Sequence, residues 1–241
     1  MRRSVERARG SSGDGEVKQA TLFDGDAEVY ESLRNPVFTA KIGRNADLFA
    51  DIARLYIPDG SRVLDMTYGL GNFWTDRLKE RYDLVTMDLE RPAMVKAALE
   101  RLPFKYDAFD AVVLDPPYAG QGADTVIGAY NYGLVGDLTR ERVLGLYAGG
   151  LTEADRVLRP GGVVIVKCQD QVRSGAQEWN HISIFQLMPL GFEAVDLFVL
   201  VQNHDPVLRH NYQHHARKNH SYAWVFKKAG QLGAMPEGKR A

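Results

Sequence analysis

Short apolar runs separated by amphipathic stretches set the pattern of this chain. In "AVVLDPPY" (111–118), Val112, Val113 and Leu114 follow one another without polar alternation and then meet Asp115 and two prolines. An unbroken run of that kind suits a strand buried on both faces, and the proline pair must end it. The same reading predicts strands in "SRVLDM" (61–66), "DLVTMDLE" (83–90), "VVIVKC" (163–168), "AVDLFVLV" (194–201) and "SYAWVFKK" (221–228). Helical spacing of Leu48, Phe49, Ile52 and Tyr56 predicts a helix over 45–56, stopped by "PDG". "NFWTDRLKER" (72–81) reads as a second helix. A third runs over 139–158, with Leu144, Tyr147, Leu151, Ala154 and Leu158 on one face and "RPGG" after it; a fourth covers about 179–188. "RPAMVKAALERL" (91–102) is helical or irregular. Strands alternating with helices indicate an α/β fold with a mostly parallel central sheet covered by helices on both faces.

The bulk composition agrees with one such domain. The chain has 241 residues, 45% apolar and 25% charged, which is ordinary for a globular protein. We expect residues 1–20 to be a disordered tail, 21–228 the folded domain and 229–241 a frayed tail. No apolar run approaches the ~20 residues of a membrane helix, and "GSSGDGE" follows the basic N-terminus instead of an apolar signal core. These points predict a soluble cytoplasmic protein with no membrane partner. The single cysteine, Cys168, closes an apolar strand and reads as a buried, inert thiol. Residues 119–136, rich in glycine and without period, form a loop long enough to be functional or disordered.

Charge is unevenly spread. The net charge is only −1, yet Arg209, Arg217, Lys218, Lys227 and Lys228 face a single acid, Asp205, between residues 202 and 228, and five of the six histidines fall there. Zinc is the obvious reading of "HDPVLRHNYQHHARKNH". The segment has no cysteine, its spacings match no paired-ligand pattern, and His214 and His215 are adjacent, so we expect no metal. Arg209, Tyr212, Arg217, Lys218 and His220 instead offer cations and an aromatic ring for phosphates and an unstacked base. A solvated loop is the competing reading.

The candidate chemistry lies at the strand ends. "DMTYGLG" (65–71) is a glycine-rich turn after the first strand, and Asp88 ends the next strand, where a carboxylate suits the two hydroxyls of a ribose. A dinucleotide fingerprint would need a third small residue at 74, where Trp74 stands. Asp65 would sit badly beside a pyrophosphate and well beside the ammonium and sulfonium of S-adenosylmethionine. No G-K-[ST] follows the glycines. At the tip of the strand ending in Leu114, Asp115 and the carbonyls of Pro116 and Pro117 are acceptors, and Tyr118 is a flat ring. Together they can hold the exocyclic amino group of a base flipped from a duplex. A strand cap and a rigid turn would account for the aspartate and one proline alone.

With "VLDMTYGLGNFW", "TMDLERP", "LPFKYDAFDAVVLDPPY", "EADRVLRPGGVVIVK" and "RKNHSYAWVF" in this order, residues 35–228 resemble the S-adenosylmethionine-dependent amino-methyltransferases of DNA, which act on adenine-N6 or cytosine-N4. The resemblance implies a single Rossmann-like class I methyltransferase domain. It implies Asp65, Thr67, Gly69 and Gly71 around the methionine part of the cofactor and Asp88 on its ribose. It implies Asp115, Pro116, Pro117 and Tyr118 on the target base, adenine ahead of cytosine, with Asp115 also bordering the cofactor. The stretch 35–43 lies where such enzymes close over the cofactor's carboxylate. The acid that many relatives carry before "LPF" is missing, so adenine contact falls to backbone, Leu102 or Phe104. No separate target-recognition domain is visible, which leaves the 119–136 loop, the 202–220 segment or a partner subunit. Duplex DNA is the expected partner. An RNA base amino-methyltransferase of the same fold and a catalytically silent nucleic-acid-binding subunit are the alternatives.

Overall fold

The computed structural model describes residues 35–117, 139–173, 175–202 and 214–230. Every element named here belongs to one compact unit that begins at Phe38. The expected tails, except residues 229–230, and the 119–136 loop lie outside the described residues.

The elements run β1 (Ala40–Ile42), α1 (Asn45–Tyr56), β2 (Arg62–Asp65), α2 (Asp76–Arg81), β3 (Asp83–Asp88), β4 (Val95–Lys96), β5 (Phe109–Leu114), α3 (Arg140–Val157), β6 (Leu158–Cys168), β7 (Gln171–Arg173), β8 (Ala176–Glu178), α4 (Asn180–Leu187), β9 (Phe192–Val201) and β10 (His220–Lys228). Eight strands form one sheet in the order β1-β9-β10-β6-β5-β2-β3-β4, and β7–β8 form a separate hairpin. All pairs in the large sheet are parallel except those of β10, which runs antiparallel to both β6 and β9. This is the mostly parallel sheet that the alternation of strands and helices predicts.

Burial explains the unbroken apolar runs. Leu64, Val112, Leu114, Val164 and Val166 join Val143, Tyr147, Leu151 and Ile184 of α3 and α4 in one core. The alternate residues Val63, Ala111, Val113 and Ile165 are buried as well, so both faces are covered. Around α1, Phe49 meets Phe73 at 5.4 Å and Trp74 at 4.8 Å between ring centroids, a favourable aromatic spacing. Caps set the helix starts: Thr75 and Thr139 accept the N–H groups of Leu78 and Arg142, each at 3.3 Å, satisfying otherwise orphaned donors.

Two expectations are corrected. The second helix covers only Asp76–Arg81, because residues 72–75 turn Phe73 and Trp74 inward, where both are buried. Of the two readings of residues 91–102, the irregular one holds: they contain no helix and contribute only the two-residue strand β4, paired with β3. "RPGG" belongs to β6, which begins at Leu158. A Cβ at Gly162 would meet the Asp110 carbonyl at 2.7 Å, so glycine lets β6 lie this close to β5.

Candidate active site

The chain leaves β2 towards β3 and β4, then re-enters the sheet at β5 on the other side of β2. Such a reversal opens a crevice beyond the carboxyl ends of the strands, where α/β sheets bind ligands. Asp65, Asp88, Asp115 and Lys167 all stand at that edge, at or just beyond the ends of β2, β3, β5 and β6.

Asp65 is completely buried. Its Oδ1 accepts the Thr67 N–H at 2.9 Å and its Oδ2 accepts Trp74 Nε1–H at 2.6 Å. Burial pushes the carboxyl up to about 7; the two hydrogen bonds oppose the rise, and the charges of Asp115 and Asp88 add to it. The resemblance has Asp65 facing the cofactor, whereas the structure turns both oxygens to the protein. Trp74, which rules out a third glycine, is the partner that holds Asp65. Thr67 then bridges the two strand tips, since its Oγ1 accepts the Asp115 N–H at 2.7 Å. Met66 N–H donates to the Val113 carbonyl at 3.0 Å, so the tips are also tied through backbone.

The glycine turn follows directly. Gly69 and Gly71 have φ of +56° and +72°, a region costly for any residue with a Cβ. A Cβ at Gly71 would meet the Tyr68 hydroxyl at 2.8 Å, so the Tyr68 ring folds over this glycine. Asp88 Oδ2 accepts the Gly69 N–H at 2.9 Å, and its Oδ1 accepts those of Glu90 and Arg91 at 2.9 and 2.7 Å. The carboxylate expected on a ribose thus also fastens the turn to β3. Beside the turn, Asn72 shares a hollow of about 400 Å³ with Gly43, Arg44, Asn45, Ala46, Leu200 and Gln202. This brings the end of the 35–43 stretch next to the glycine turn.

On β5, Asp115 is half-buried and Pro116 is buried. Lys167, only 7% exposed, brings its Nζ to 3.7 Å from Asp115 Oδ2 and 6.0 Å from the Phe73 ring centroid. Tyr147 of α3 donates its hydroxyl to the Lys167 carbonyl at 2.8 Å, fixing this strand end. The sequence reading missed Lys167, and its signal was a cation inside an apolar strand run, which is rarely buried without a partner. Tyr118 lies outside the described residues. Leu102 is placed in the core and not at the site surface: it is 5% exposed, its N–H goes to Glu153 at 2.7 Å and its carbonyl accepts from Arg156 at 3.0 Å. Phe104 is half-buried, edge-on to Phe109 at 5.0 Å. Cys168 is fully buried, and burial raises its thiol pKa, as an inert thiol requires.

Farther along the same edge lies a polar strip. Gln169 Nε2 donates to the carbonyls of His220 at 3.0 Å and Lys218 at 3.5 Å. His215 Nε2 lies 2.7 Å from the Gly175 carbonyl. Lys218 Nζ sits 4.5 Å from the Trp179 ring centroid, and His220 Nε2 lies 3.0 Å from the Tyr222 hydroxyl. Arg217 is half-buried; Arg209 and Tyr212 lie outside the described residues. Asp170, 1% exposed, holds His181 through Nδ1 at 2.8 Å and through its N–H at 3.2 Å, and the His181 ring stacks on Tyr222 at 4.4 Å. Sequence spacing gave no sign of this pair, because the two residues meet across a hairpin. Among the described residues no three metal-ligating side chains come together, and no helix is long and apolar enough to cross a membrane.

No family model matches the chain, and no curated protein matches it. Solved structures do. TrmN from Thermus thermophilus aligns over 76% of this chain and 48% of its own, at 17% identity and a TM-score of 0.49; the chain therefore spans about half of that protein. A candidate rRNA-methylase from Clostridium thermocellum aligns over 78% of this chain and 99% of its own, at 15% identity and 0.48. A candidate DNA modification methylase, also from Thermus thermophilus, aligns over 60% and 53%, at 18% identity and 0.38.

Proposed function

We propose that this protein is an S-adenosylmethionine-dependent methyltransferase that modifies the exocyclic amino group of a base in nucleic acid, with adenine-N6 of DNA as the first substrate to test. One observation carries the reading: the acid of the Asp-Pro-Pro-Tyr tetrapeptide stands at the switch point, tied through Thr67 to the glycine turn. Acceptor and cofactor turn are therefore one construction.

The residues present fit the cofactor. Positive-φ glycines would let backbone approach a ligand closely, Asp88 would accept from a ribose, and the hollow between Asn72 and Gly43–Ala46 would take the amino-acid end. When bound, the cofactor supplies an electrophilic methyl group. The chain's own work is positional. Asp115 accepts a hydrogen bond from the target amino group, which directs the nitrogen lone pair and disperses its developing positive charge. Thr67 holds the Asp115 backbone, and Lys167 engages Oδ2 of its carboxylate. The Pro116 and Pro117 carbonyls offer further acceptors, and Tyr118 would stack on the base.

Incubation with methyl-labelled S-adenosylmethionine and either duplex DNA or RNA, followed by nucleoside analysis, tests this. Label in N6-methyl-2′-deoxyadenosine of the DNA arm is expected. Label only in RNA would move the substrate and keep the chemistry; label in neither would overturn the reading.

A further inference from the structure

We propose that Trp179, together with Lys218, is a stacking platform for a DNA nucleotide flanking the target base; this rests on the methyl-transfer reading above. Trp179 is 46% exposed, and an indole with a free surface is a ring type enriched at interfaces. Its neighbours in sequence are the opposite. Glu178 is 7% exposed and paired with Arg173 at 3.0 Å. Asn180 is 3% exposed and donates to the Gln169 carbonyl at 2.8 Å. Buried polar pins on both sides thus hold one exposed ring in a fixed place.

The cation arrives independently, from 39 residues later in the chain (218 − 179). The carbonyls of Lys218 and His220 are held by Gln169, and His215 is tied to the β7–β8 hairpin at Gly175. These contacts bring Lys218 Nζ over the indole at 4.5 Å. An exposed indole with an ammonium over it offers a π-surface and a cation, matching the π-face and the phosphate of a nucleotide. Position supports the same ligand. β6 runs parallel to β5, and β10 antiparallel to β6, so Gln169 and His220 lie at the sheet edge that carries Asp115. A strand with its target base at Asp115 would run past this platform.

The test uses the full chain with Trp179→Ala, Trp179→Phe and Lys218→Met, and a short fluorescein-labelled mixed-sequence DNA duplex as probe. Anisotropy should show Trp179→Ala weakening binding on the order of tenfold, with Trp179→Phe close to wild type. Lys218→Met should weaken binding and lower the salt slope by about one. S-adenosylhomocysteine affinity should be unchanged in all three. Indole emission should fall on adding the duplex to wild type and not to Trp179→Phe, which retains Trp74 and Trp224. Wild-type duplex affinity in Trp179→Ala, with methyl transfer intact, would overturn the platform and leave the enzyme reading standing. Absence of both duplex binding and transfer in the wild type would instead sink the parent reading. Loss confined to an RNA hairpin probe would overturn the DNA assignment.

Discussion

The strand tips around Asp115 and the strip around Trp179 occupy one edge of the same sheet and are built by different means. At the tips, local hydrogen bonds stand beside the strand-to-strand ties: Asp65 accepts from Thr67 two residues on and from Trp74 nine residues on, Asp88 catches Glu90 and Arg91, and Thr67 then meets Asp115, 48 residues on. In the strip, side chains reach across 11 to 51 residues, as in Asp170 to His181 and Gln169 to His220. Local construction leaves a motif in the sequence. Long-range construction leaves isolated polar residues whose partners only folding reveals.

The largest effect should come at the tips. Asp115→Ala is expected to lower methyl transfer by on the order of a hundredfold or more, with S-adenosylhomocysteine affinity retained in calorimetric titration. Comparable turnover in the variant would remove the contrast, because Asp115 would then be no more specialised than the strip.

Asp65 should give the next largest effect, read as stability against pH. Its folded pKa lies near 7 against an ordinary 3.8. Between those values the folded chain keeps a proton that the unfolded chain has released, so this group's contribution is full below the lower value and lost as pH rises through the higher one. The shift corresponds to on the order of 4 kcal/mol at most. Denaturant midpoints should therefore fall from pH 4 to pH 7 in wild type, and the fall should be shallower in Asp65→Asn. An equal slope in both proteins would place the titrating group elsewhere.

Gly71→Ala should cost about 1–2 kcal/mol in stability from its positive φ, plus a steric cost from the Tyr68 ring. Adding Tyr68→Ala should return the steric part. If the double variant is no more stable than the single one, the ring is not the obstacle.

The smallest effect belongs to the strip. Asp170→Asn should cost about 1 kcal/mol, because it weakens the buried hold on His181 and the start of α4. Hydrogen exchange should speed up in α4 and stay unchanged in the glycine turn. Faster exchange at both would show that the two regions are one cooperative unit.

The elements that were legible were those whose signal is periodic. The helix over 45–56 is observed at those bounds, and the third helix within two residues. The second helix was overcalled because "NFW" satisfies helical spacing while Trp74 is drawn to Asp65. β1 and the β7–β8 hairpin, each strand three residues long, are too short to carry a period. Leu102 read as a site residue because it borders a motif, yet the fold drives it into the core and occupies its backbone with Glu153 and Arg156.

What the sequence determined by itself is the fold class and which residues stand at the strand tips. Unbroken apolar runs require two covered faces, and the glycines, Asp88 and Asp115 follow or end such runs. The tertiary structure decided the partners. It turned Asp65 into a buried anchor, brought Lys167 to Asp115, and set Lys218 over Trp179. Side chains far apart in the chain become neighbours only through strand order and register, and one residue's spacing along the chain carries no record of either.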